Sequence, residues 1–294
     1  MRARAGSKVY AAVAMAAMLW APPACAQVLG RAPTYTDRRL SDVPNSAAMT
    51  ARIWVPGLDE GYVPQGLTVV GADLFVSSYR SVDPKQGRGP CRLYRIDPVL
   101  GVVRGQLDLP AACGHAGGLA RGPAGRLFVA DTREVFEVAL GTTGAGEVVR
   151  SMRLTGGVRG SFAAGTADAL WLGTYAKDGD PRLYKFPFTV LKDELGESDA
   201  AGSLPLPKEA QGGAFDAAGR LWITRSGSKF GELLQLDVNS GEVKARYAMP
   251  AGIEDLSFDA AGQIWSMSEA GSQRWLQWET FFPVIFRVDP QSLR

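Results

Sequence analysis

The sequence predicts an all-β fold, a five-bladed β-propeller of four-stranded antiparallel blades, and three observations carry that expectation. Glycine is abundant, at 35 of 294 residues, while apolar residues at helical spacing are scarce, which suits short strands joined by tight turns. A β-like motif recurs five times at intervals of about 43 to 52 residues, the length of one propeller blade. The strands of the last blade are split between the two ends of the chain, as a closed ring requires.

The second strand of each blade is the clearest repeat. It reads Leu74-Phe75-Val76, Leu127-Phe128-Val129, Leu170-Trp171-Leu172, Leu221-Trp222-Ile223 and Ile264-Trp265-Ser266, with an aromatic residue at one register. An aromatic repeated in this way belongs between neighbouring blades. The first strands begin at Gln65-Gly66-Leu67, Gly117-Gly118-Leu119, Gly160-Ser161-Phe162, Gln211-Gly212-Gly213 and Glu254-Asp255-Leu256. Third strands such as Leu93-Tyr94-Arg95-Ile96-Asp97 alternate apolar and polar residues, the pattern of a strand with one buried face. Fourth strands end in proline, at Pro110, Pro207 and Pro250, which suits an outer edge. The fifth blade lacks a fourth strand at the C-terminus. Arg52-Ile53-Trp54-Val55-Pro56 resembles the other fourth strands and is expected to close the ring. A six-bladed ring is the alternative, with a degenerate blade between Arg182 and Lys208.

The N-terminus reads as a Sec-type signal peptide over residues 1–26. Arg2, Arg4 and Lys8 precede an apolar run from Val9 to Trp20, and Ala24-Cys25-Ala26 offers small residues before Gln27. Residues 27–48 read as a partly disordered leader and 49–294 as the propeller. The expected location is the bacterial periplasm or exterior, with no membrane span in the mature chain. There Cys91 and Cys113 are expected to form a disulfide. A formal net charge of +2 gives no electrostatic footprint for nucleic acid.

Ligands of such rings enter at the channel mouth, where first strands begin and second strands end. Residues expected there are Gln65, His115, Gln211, Glu254 and Asp255 from the first strands, and Tyr79, Asp131, Tyr175, Arg225 and Glu269 from the second. This mixed-charge set suits a small polar ligand or a peptide. Asp131, Glu254 and Glu269 offer oxygen ligands for Ca²⁺ if they converge. His115, the single histidine, has no nucleophile motif beside it, so no catalytic residue is assigned. No glycine-rich phosphate loop opens a helix.

Two resemblances follow from motifs. Val63-Pro64-Gln65-Gly66-Leu67, the hairpin from Cys91 to Val103, and His115-Ala116-Gly117-Gly118-Leu119 resemble the first two blades of the five-bladed glutamine cyclotransferases. That resemblance spans Tyr62 to Leu140 and implies enzymes that cyclise N-terminal glutamine. Gly117 stands where the family carries its key glutamate, and a glycine transfers no proton. Asp216 to Trp222 and Asp259 to Trp265 are similar to the Asp-x-x-Gly-x-(Leu/Ile)-Trp repeat of SMP-30/gluconolactonase, NHL and strictosidine-synthase-like propellers, which marks architecture rather than activity. Three functions are therefore expected in this order: a binding protein that uses the channel mouth, a Ca²⁺-dependent lactonase-like hydrolase, and a diverged cyclotransferase with another carboxylate, such as Glu254, as its acid.

Overall fold

A computed structural model describes residues 27–294; the expected signal peptide lies outside them. The described chain forms five sheets around one axis, antiparallel but for one two-residue pairing at the edge of the second. Strand β1 (Met49–Trp54) comes first. Blade I follows with β2 (Tyr62–Val70), β3 (Asp73–Arg80), β4 (Cys91–Asp97) and β5 (Val102–Asp108). Blade II holds β6 (Gly118–Arg121), β7 (Arg126–Ala130), β8 (Glu134–Ala139) and β9 (Glu147–Leu154). Blade III is built from β10 (Phe162–Gly165), β11 (Ala169–Gly173) and β12 (Arg182–Pro187). The two-residue β13 (Glu194–Leu195) follows, then β14 (Gly202–Pro205) completes this blade. Blade IV contains β15 (Ala210–Phe215), β16 (Leu221–Gly227), β17 (Phe230–Leu236) and β18 (Val243–Met249). Blade V has β19 (Ile253–Phe258), β20 (Ile264–Ser268) and β21 (Val284–Val288), and β1 is its outer strand, with Ile53 opposite Ile285.

The alternative sixth blade is not realised. The stretch from Arg182 to Lys208 supplies β12 and β14 to blade III, while β13 crosses over and pairs parallel with β9 as a fifth strand of blade II. Two residues are too few to found a sheet. Among the described residues helical structure is confined to short 3-10 turns, and no helix is long and apolar enough to cross a membrane.

Each blade interface has its own apolar cluster, and each contains or packs against the repeated aromatic. Phe75 sits between blades I and II, Phe128 between II and III, Trp171 between III and IV, Trp222 between IV and V, and Trp265 between V and I. The Asp-x-x-Gly motif has a local cause. Asp216 accepts the Ala218 and Arg220 backbone N–H groups through Oδ1 and the Trp222 indole N–H through Oδ2 at 2.9 Å. Asp259 treats Ala261, Gln263 and Trp265 the same way. One carboxylate therefore closes the turn and orients the core tryptophan.

The leader, expected to be partly disordered, packs along blade V because its polar groups find acceptors there. Arg38 donates to the carbonyls of Leu276 and Trp278, and Leu29 forms a parallel bridge with Ile53. Cys91 and Cys113 are joined in a disulfide with their Cα atoms 5.9 Å apart. On the chain-entropy model, closing such a loop is worth about 3 kcal/mol.

Candidate functional site at the channel mouth

The inner strands β2, β6, β10, β15 and β19 contact one another in sequence around the axis. They approach closely because glycines face the neighbouring blade. A Cβ on Gly66 would collide with Gly118, and one on Gly118 would collide with Phe162 and Ala163. Where these strands begin, they enclose a cavity of about 990 Å³.

Three inner strands carry a β-bulge at the residue aimed there. The register slips between Pro64 and Gly66, between Ala210 and Gly212, and between Ile253 and Leu256. A bulge breaks the simple alternation of faces and re-aims a side chain. It brings Gln65, Gln211 and Glu254 to the cavity. His115, Tyr175 and Glu269 line it as well.

The other four residues expected at the mouth lie behind it. Asp255 turns to the axis and joins the blades: Leu67 of blade I and Leu119 of blade II donate N–H groups to Oδ2, both at 3.0 Å. Gly213 of blade IV and Leu256 donate to Oδ1. Burial pushes the Asp255 carboxyl well above the ordinary range, and the four donors pull it back. Asp131 is also buried, with Oδ1 collecting the N–H groups of Gly114, His115 and Ala116. Arg225 pairs with Glu209 and Glu232 and sits over the Phe230 ring. Tyr79 is fully buried beneath His115, with ring centroids 4.6 Å apart.

Glu254 and Glu269 form the floor. Both are buried at the cavity floor, close enough that each carboxyl perturbs the other. Glu269 Oε2 also accepts the Gln65 amide at 3.1 Å and the Trp275 indole N–H at 2.7 Å. Glu254 Oε1 is buried with no hydrogen-bond partner among the described residues. Burial raises the Glu254 carboxyl well above the ordinary range, and the Glu269 and Asp255 charges raise it further. Burial lifts Glu269 to about 7, against the donors that favour its charge. Two carboxyls this close do not both ionise readily, so the pair keeps one proton near neutral pH.

A wall of stacked groups rises beside this floor. His115, Tyr79, Arg274, Trp275 and Trp278 follow one another face on face, with the Arg274 guanidinium 4.1 Å from the Trp275 centroid and the two indoles 4.7 Å apart. Arg274, Trp275 and Trp278 belong to the long connection between β20 and β21 and were not anticipated. They lie outside the repeated motif. The one available signal was the unusual length of that connection and its density of tryptophan.

His115 is held by its backbone and its ring. Ala116 takes a left-handed φ of 52° so that three successive N–H groups can converge on Asp131. The His115 Nδ1–H faces the Gly87 carbonyl at 2.8 Å, which leaves Nε2 as the acceptor of the neutral ring. Burial lowers the His115 pKa, so the imidazole is neutral at pH 7. Gly117 has no space for a side chain, since a Cβ there would collide with the Ser161 carbonyl oxygen.

Asp131, Glu254 and Glu269 do not gather into a site for Ca²⁺. Among the described residues, the group of three potential ligands whose donor atoms lie within 4.8 Å of one another is Cys91, Cys113 and Asp131. Its two sulfurs are bonded to each other, and Ca²⁺ takes 6 to 8 oxygens.

No protein-family model matches the sequence, and no curated protein matches it. Solved structures do match in fold. A glutaminyl cyclase from Myxococcus xanthus is similar with a TM-score of 0.58 at 13% identity, over 82% of this chain and 94% of that one. The PQQ-bound aldose sugar dehydrogenase of Streptomyces coelicolor aligns with a TM-score of 0.46 at 13% identity, over 77% of this chain and 94% of that one. Virginiamycin B lyase from Staphylococcus aureus gives 0.38 at 15% identity, over 71% and 78%. The likeness to the glutaminyl cyclase shows a shared fold.

Proposed function

We propose that this chain is an exported propeller that binds one small polar ligand at the mouth of its axial cavity. The observation that supports this reading most directly is Glu254 Oε1, a buried acceptor without a donor at the cavity floor. Leaving such an atom unpaired costs about 1–3 kcal/mol, which a ligand donor at that point recovers. Gln65, Gln211 and Tyr175 offer further polar contacts, and Trp275 and Trp278 offer apolar faces. Export rests on the basic start, the apolar run, the small residues before Gln27, and a disulfide that suits an oxidising compartment.

Thermal shift and calorimetry with a panel of amines, amides, amino acids and sugars test the binding reading. A true ligand at ~100 times its Kd should stabilise the wild type by about 2.7 kcal/mol, and Glu254→Gln should diminish the effect. Equal affinity for the wild type and this variant places binding elsewhere and removes the reading.

A second reading, acid–base catalysis, is favoured by two buried carboxyls, Glu254 and Glu269, lining the same cavity with their titration raised by burial. The propeller shared with glutaminyl cyclase makes N-terminal glutamine peptides the first substrates to assay, with Glu254 as the acid in place of the residue absent at Gly117. Metal-independent turnover abolished by Glu254→Gln supports that reading, and its absence on such peptides ends it.

A further inference from the structure

We propose that the Glu254–Glu269 pair is the receptor for a primary ammonium group, and that the ligand of the cavity is a monoamine whose carbon frame lies against Trp275 and Trp278. The proposal rests on the ligand-binding reading above and names the class of ligand.

The pair lacks a counter-ion. Glu254 is 1% exposed and Glu269 7%, and no Lys or Arg nitrogen among the described residues forms an ion pair with either. The buried cation beside them, Arg274, is turned to other acceptors. Its Nη1 donates to the Tyr79 hydroxyl, its Nε to the Asp83 carbonyl at 3.3 Å and its Nη2 to the Pro84 carbonyl at 3.2 Å. Two buried carboxyls without a paired cation avoid a double charge by keeping a proton. A ligand cation at the same point takes over that role.

The remaining chemistry selects the cation. A metal such as Ca²⁺ needs 6 to 8 oxygens, and here only two carboxyls converge. An ammonium carries three donors, which suit Glu254 Oε1 and the remaining lone pairs of the two carboxyls. Trp275 and Trp278 both line the cavity, and indole faces attract a cation and cover its hydrocarbon. Lys177, Lys229 and Arg159 line the same cavity and repel a second positive end, while the further lining carboxylate, Glu209, is paired with Arg225. The ligand is therefore a monoamine whose other end is neutral or anionic, rather than a polyamine.

Binding is then coupled to a proton. The ammonium pairs with the doubly ionised carboxyls, so the proton on Glu254 leaves for solvent as the ligand enters. Affinity should rise as pH rises through about 7, where Glu269 ionises, and go on rising above it as the Glu254 proton becomes easier to lose. The other titratable groups around the pair are separable from this dependence. Burial raises Tyr79 and Tyr175, which stay neutral in this range, and it raises Asp255 too, whose titration would persist in Glu254→Gln. Burial lowers the His115 pKa, so that imidazole is neutral throughout this range.

The test is calorimetry on the mature chain at about pH 8, above the Glu269 midpoint so that the pair holds the Glu254 proton alone, in two buffers of different ionisation enthalpy, with phenethylamine, 2-phenylethanol, 1,4-diaminobutane and CaCl₂ as titrants. Phenethylamine should bind one to one with release of close to one proton, and about tenfold or more tightly than the alcohol or the diamine. Glu254→Gln imitates the protonated pair. It should lower the affinity for phenethylamine at least ~10-fold and remove the buffer dependence. Trp278→Ala, a half-buried position, should weaken binding and leave proton release unchanged. Amine binding that is equal in Glu254→Gln, or matched by the alcohol, overturns the proposal, as does uptake of Ca²⁺ without uptake of amine. If the alcohol binds as well as the amine and Trp278→Ala weakens both, the ligand-binding reading survives and the amine assignment falls. If none of the four titrants nor any compound of the wider panel binds, both fall.

Discussion

Glu269 shows how one buried residue ties stability to pH. Its folded pKa of about 7 lies above the ordinary 4.5, so the folded state holds a proton that the unfolded chain has already lost between those values. The stabilising contribution is fully present below about pH 4.5 and is lost as pH rises through about 7. The amount at stake is on the order of 3 kcal/mol. Urea unfolding at several pH values should show the wild type losing stability over this window relative to Glu269→Gln, whose amide does not titrate. Parallel curves for the two proteins would contradict the buried, proton-sharing arrangement. His115 offers a contrast. Its charge is suppressed by burial, and its role at the mouth is that of a neutral acceptor held by Tyr79 and Gly87.

At the scale of the element, β1 is the latch of the ring. Its alternation has a physical consequence: Ile53 is buried between blades V and I against Trp265, while Thr50 on the same strand is exposed. Ile53→Asp would bury an unpaired carboxylate at the closing interface and should cost about 3 kcal/mol or more. Thr50→Asp should stay within about 0.5 kcal/mol. Chemical denaturation of both variants measures the difference, and equal costs would mean that β1 does not close the ring. The bulges in β2, β15 and β19 act at the same scale. Each slips one residue out of register, so that Gln65, Gln211 and Glu254 meet at the mouth from three different blades. Regular alternation would assign Glu254 and Asp255 simply to opposite faces. The bulge gives the first to the cavity and the second to the axis.

For the whole molecule, Asp255 is the hub. Its carboxylate gathers N–H groups from blades I, II, IV and V. All four neighbours are donors, so Asp255→Asn would set an amide N–H against backbone N–H groups at the axis. That change should lower global stability by about 3 kcal/mol, because buried donors are left unpaired. It should also separate the far-UV and tryptophan-fluorescence transitions, which coincide in a ring that unfolds as one unit. Coincident transitions at wild-type stability would remove Asp255 from this role. The cavity belongs to the same scale, since its floor comes from blade V, its glutamines from blades I and IV, and its indole wall from the connection between β20 and β21.

The primary structure by itself determined the repeating architecture: the five second-strand aromatics recur at a fixed period, and the Asp-x-x-Gly-x-(Leu/Ile)-Trp turns, the closing strand around Ile53 and the cysteine pair are local patterns legible beside them. Period and alternation report which strand and which end a residue occupies. They do not report depth, and for that reason Tyr79, Asp131, Arg225 and Asp255 were expected at the mouth alongside Gln65 and Glu254. Only the tertiary structure separated them, because depth depends on where bulges re-aim a side chain and on which backbone N–H groups a neighbouring blade presents. Arg274, Trp275 and Trp278 were out of reach for a related reason. A connection outside the repeat has no register to read, and its position over the cavity is decided by the packing of the finished ring.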